Sequence, residues 1–179
     1  MSVILMVLFR IEATNLHWMD DAIDDPDDLC LHGDAVAYIG ERKLKYEECT
    51  VSATALYLLK TLTEDHIIDR DNQMLPCCGF TLIADEAHEN VAISGCPNGI
   101  DWTVMHDGDI IRLILDDGYE ARISISDYQS EVFRFADFIE SYYRSCPPKL
   151  IPSNHFDRDG YLTFWNEWNR RRIQTQPNS

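Results

Sequence analysis

The chain has 179 residues, of which 45% are apolar, a globular rather than a disordered composition. Its 15 basic residues face 31 acidic ones, for a net charge of −16 and a pI near 4.5. That balance excludes a surface built for nucleic-acid phosphates or anionic lipid, and it favours basic partners through long-range attraction.

In chain order, residues 3–13 read as a first, buried strand. The apolar run Val3–Phe9 is too short to span a bilayer and lacks the charged start and cleavage site of a secretory signal, so a cytoplasmic chain is expected. Its six cysteines are then expected to be reduced thiols rather than staples. Residues 18–29 hold six Asp and a Pro, which predicts an irregular acidic loop. Residues 29–39 alternate around Gly33-Asp34 and read as strand, turn, strand, with a further short strand over 43–49.

From Ser52 the apolar period lengthens to that of a helix, placed at about 52–66 with Thr50 or Ser52 as N-cap. Residues 79–125 read as a β-meander broken by Pro97-Asn98-Gly99, Asp107-Gly108 and Asp117-Gly118, and Asp-Gly between apolar runs is a strong hairpin signal. Ser126 with Gln129 opens a second helix over about 127–144, ended by Pro147-Pro148. A last helix at about 158–172 carries Tyr161, Phe164, Trp165 and Trp168, and its Arg170-Arg171-Arg172 lies where a helix C-terminus favours cations. Residues 174–179 read as a tail. The expectation is a single α+β domain: an antiparallel sheet from the 79–125 meander plus the N-terminal strand, with helices on one face and the last helix packing back.

Motifs for chemistry are weak. Cys77, Cys78, Cys96, His88 and His106 invite a zinc reading. Adjacent cysteines on a strand point to opposite sides, however, and no second pair of ligands follows. A nucleophilic Cys78 with His106 or His88 as base needs a cationic setting that this acidic chain does not offer. The segment around Gly160 fails as a calcium loop, because His155 and Asn166 stand where acids are required. Glycine-rich phosphate loops are absent. The expectation is thus a non-enzymatic protein without metal or cofactor. The residues expected to meet a basic protein partner are Trp18, Asp20, Asp21, Asp24, Asp25, Asp27 and Asp28: clustered carboxylates speed encounter, and an aromatic can anchor it.

Three stretches carry a resemblance: Cys96-Pro-Asn-Gly-Ile-Asp-Trp102, Glu131–Tyr143 and Gly160-Tyr-Leu-Thr-Phe-Trp-Asn-Glu-Trp168. Over roughly residues 90–170 the chain resembles bacterial immunity-type proteins of polymorphic toxin systems. What the resemblance implies is a small acidic protein that binds and blocks one toxin domain, one with a basic, nuclease-type cleft being the best fit to the charge. The alternatives are a small enzyme using a Cys/His or paired-carboxylate site, a secretion chaperone, or a DNA mimic.

Overall fold

A computed structural model describes residues 8–19, 25–79 and 81–174. The chain is α+β with antiparallel sheets. Strand β1 (Phe9–His17) alternates as the sequence does, with Phe9, Ile11 and Ala13 inward and Arg10 and Thr14 outward. Residues 3–7 of the predicted strand lie outside the described residues. β1 pairs with β2 (His32–Ile39), which turns at Gly40-Glu41 into β3 (Arg42–Cys49).

The predicted turn at Gly33-Asp34 is a correction: both residues lie inside β2. They mark an irregularity in the ladder instead. A Cβ on Gly33 would stand 2.8 Å from the Thr14 carbonyl oxygen, so only glycine allows the strands this close. The Asp34 carboxylate accepts hydrogen bonds from Asn15 Nδ2 and the Glu48 N–H, and Asn15 and Glu48 have positive φ. A Gly-Asp pair here serves a bulge rather than a reversal.

Helix α1 (Val51–Lys60) is buried along almost its whole length and packs on β2, on β4 (Leu75–Pro76), and on α2 (Ile125–Ser145) and α3 (His155–Gln174). It is a central helix, not a cover on one face. It stops at Lys60, short of the predicted residue 66. The chain has to turn there so that His66 can exchange two backbone hydrogen bonds with Val104.

The meander exists, but not as one sheet. β5 (Thr81–Ala84) and β6 (Val91–Ser94) form one hairpin, and β8 (Thr103–Asp107), β9 (Ile110–Ile114) and β10 (Glu120–Ser124) form a separate three-stranded sheet. Between them, β7 (Gly99–Ile100) pairs back with β4. The N-terminal strand joins none of these; it belongs to the β1–β2–β3 sheet.

The α2 N-cap is Ser124, whose Oγ accepts from the Asp127 N–H. Glu131 on α2 accepts from the Ile11 N–H, and Arg134 donates to the Ile11 carbonyl, which ties this helix to β1. In α3, Tyr161, Phe164 and Trp168 are buried, so the aromatic stripe is core, as its spacing predicts. Among the described residues, no helix is long and apolar enough to cross a membrane.

Candidate functional site

The acidic segment forms one wall of a groove of about 510 Å³, lined by Asp25, Asp27, Asp28, Met19, Leu82 and Asp157, among others. Asp20, Asp21 and Asp24 lie outside the described residues. The three described carboxylates differ in their work. Asp25 Oδ1 accepts from the Asp27 and Asp28 N–H groups, forming the turn. Asp28 accepts from the Met19 and Cys30 N–H groups and is nearly buried. Asp27 is exposed.

Trp18 is fully buried, in contact with Tyr142 and Tyr143 of α2 and with the Lys149 ammonium 3.0 Å from its ring centroid. It therefore offers no face to a partner. Its role is to seat the segment: the Tyr142 and Tyr143 hydroxyls donate to the Leu16 and Leu29 carbonyls, one on either side of the acidic residues.

Beside the groove stand apolar side chains in the open. Met19, Leu150, Ile151 and Phe156 are each more than half exposed. The Leu150 N–H donates to the Pro26 carbonyl and Lys149 Nζ to the Asp25 carbonyl, so the connector before α3 is fastened to the acidic segment.

The second concentration of chemistry is made of thiols. The sulfurs of Cys77, Cys78 and Cys96 lie within 4.8 Å of one another, and all three residues are half-buried. Sequence reasoning set the Cys77-Cys78 pair aside because neighbours on a strand diverge. Neither cysteine is on a strand: β4 ends at Pro76, and the chain then turns across the start of α1. The Thr50 N–H donates to the Pro76 carbonyl, and the Cys77 N–H donates to the Asn98 carbonyl, which brings the segment carrying Cys96 alongside. The Cys96 N–H donates to Cys78 Sγ at 2.8 Å. A Cβ on Gly95 would lie 2.2 Å from the Cys78 carbonyl oxygen, so the glycine is what lets the two segments touch. Cys-Cys-Gly facing Gly-Cys was the available signal in the sequence.

The thiols differ in acidity. Hydrogen bonds from the Cys78 and Cys77 thiols and from the Asn98 N–H bring Cys96 down to about 7. Tyr46 is pushed up to about 12, first by its hydrogen bond with Cys77. Burial pushes Cys30 and Cys49 up to about 12, which keeps both as protonated core thiols.

Neither histidine considered as a base joins this cluster among the described residues. His106 is taken by Asp65, whose carboxylate accepts from its backbone N–H at 2.9 Å and lies 2.8 Å from its Nδ1. His88 sits with positive φ in the Asp85–Asn90 turn. A further pair, His66 Nε2 with Asp101 Oδ1 at 2.7 Å, went unnoticed in the sequence. The Asp101 oxygen also accepts from the Met74 N–H, a structural duty. No family model matches this chain, and comparisons with curated proteins and with solved structures return no match.

Proposed function

We propose that the chain is a non-enzymatic binding protein that takes a basic protein partner at the groove beside Asp25, Asp27 and Asp157. The observation that carries this reading is the mixed character of the groove, whose lining joins Asp25, Asp27, Asp28 and Asp157 with Met19 and Leu82. An Arg or Lys side chain lays its aliphatic stem on apolar surface and gives its cation to carboxylates, which matches that lining. Exposed Leu150, Ile151 and Phe156 extend the apolar rim, the composition of an interface centre with a charged edge.

The distribution of charge adds support. Arg134, Arg144, Arg171 and Arg172 are each paired with carboxylates of the same chain, and the Lys149 ammonium beside the groove is held by the Asp25 carbonyl and the Trp18 ring. On the resemblance in residues 90–170, the partner is a toxin domain with a basic cleft, and this chain is its immunity protein. Inhibition then needs only coverage of the cleft.

The test starts from capture of partners from the native host lysate by the immobilised full chain, at low and moderate salt. The captured protein is then purified and its association rate measured with the wild type and with Asp25→Asn/Asp27→Asn. The expected result is an association up to about tenfold slower at low salt for the variant, converging with the wild type as salt screens the field. Equal rates at low salt reject this groove. Failure to capture any partner while it is expressed rejects the binding reading as a whole.

A further inference from the structure

We propose that Cys77, Cys78 and Cys96 together form a binding site for a thiophilic d10 cation, Zn²⁺ or Cu(I). The proposal is independent of the groove and its partner.

The geometry carries it. Three sulfurs within 4.8 Å of one another already surround a common centre. Metal–sulfur bonds of about 2.3 Å need sulfur separations of about 3.8 Å, a closing that cysteine side-chain rotation supplies. The backbone beneath is fixed on both sides. Pro76 pairs with Gly99, the Cys77 N–H is held by Asn98, and the Cys96 N–H by Cys78. Little ordering is left for the ion to impose, which favours binding.

Chemistry agrees with geometry. Soft thiolates select Cu(I) and Zn²⁺ over the hard cations that carboxylates prefer. Metal binding requires deprotonated thiols, so the ion displaces the thiol protons and affinity rises with pH. The chain's net charge of −16 attracts cations at long range. Cu(I) is satisfied by three sulfurs, whereas a tetrahedral Zn²⁺ takes a fourth ligand from solvent, which the half-buried setting admits. The site joins the 75–78 segment to the 95–100 segment. A bound ion therefore bridges two stretches of chain 18 residues apart and stabilises the folded state by mass action.

The test uses the full chain, reduced and metal-free, under anaerobic conditions. It is titrated with Zn²⁺, and separately with Cu(I), against a competing chelator, and then alkylated and mapped by peptide mass spectrometry. The expected result is one ion per chain, protection of Cys77, Cys78 and Cys96 with Cys146 still modified, and a rise in the urea midpoint. Cys78→Ser and Cys96→Ser should each weaken binding at least about tenfold. Either ion bound on these terms supports the site, and the relative affinities say which ion it prefers. If neither ion protects the three cysteines, or if both serine variants bind as the wild type does, the site is overturned. The alkylation map of the wild type decides the matter even where a variant fails to fold.

Discussion

Glu167 and Arg171, one turn apart on α3, form an ion pair sealed inside the protein. Arg171 Nε lies 2.7 Å from Glu167 Oε1, and Glu167 is wholly buried. The second oxygen of Glu167 accepts from the Val91 N–H at 2.7 Å, and Lys60 Nζ approaches to 3.5 Å. One carboxylate thus joins α3, α1 and the β5–β6 hairpin.

Removing that carboxylate strands the buried Val91 N–H and takes the buried charge away from Arg171 and Lys60, leaving Arg171 its contact with Glu64, which costs more than losing a surface pair. Glu167→Ala is expected to destabilise the chain by about 3–5 kcal/mol. Glu167→Gln keeps the volume and an acceptor for Val91, so its loss should be smaller. Urea unfolding followed by circular dichroism measures both, and an alanine variant as stable as the wild type would show the pair to be dispensable.

Trp18 is expected to behave as a core residue. Trp18→Ala deletes a buried ring packed on Tyr142 and Tyr143 and should cost about 3–5 kcal/mol. Trp18→Phe preserves most of the packing and should cost clearly less. The same unfolding experiment separates them; a stability-neutral Trp18→Ala would contradict its burial.

Acid should weaken the β8–β9–β10 sheet. Hydrogen bonds from Arg112 and then Arg122 lower Glu120 from its ordinary 4.5 to about 2. Because the folded value is the lower one, the stabilisation is complete above pH 4.5 and is lost as pH falls toward 2. Asp65 and Asp85, also held below the usual carboxylate range by hydrogen bonds, act in the same direction. Urea midpoints across that window should fall less steeply for Glu120→Gln than for the wild type. Identical slopes would remove Glu120 from the acid response.

Cys96 should react as a thiolate well below the ordinary cysteine range. Its alkylation rate is expected to rise through pH about 7, not through 9.0. Gly95→Ala places a methyl group against the Cys78 carbonyl and forces the segments apart. The midpoint in that variant should move up toward 9.0, since the hydrogen bonds from Cys77 and Cys78 are lost. Stopped-flow alkylation with peptide mapping reads the shift, and an unmoved midpoint would place the cause of the low value elsewhere.

Much of the fold was legible in the amino-acid sequence because it depends on local rules. Alternation in Phe9–Ala13, Asp-Gly at 107–108 and 117–118, and the apolar stripe Val132, Phe135, Ala136, Ile139 each specify an element through its own period or turn chemistry. The burial of Tyr161, Phe164 and Trp168 followed from helical spacing in the same way. Composition alone settled the acidic balance.

Tertiary structure decided what depends on meetings between distant segments. The sheets separate because β7 leaves the meander to pair with β4, a partnership with no local signature. Gly33-Asp34 was ambiguous for a similar reason: the same dipeptide serves a turn or a bulge, and only the neighbour Thr14 distinguishes them. Trp18 could be placed next to the acidic residues by sequence, but its burial came from α2, more than a hundred residues away. The thiol cluster is the clearest case. Cys77 and Cys78 diverge only if the chain is extended there, and it is the Cys77–Asn98 hydrogen bond and the contact at Gly95 that turn three scattered cysteines into one site.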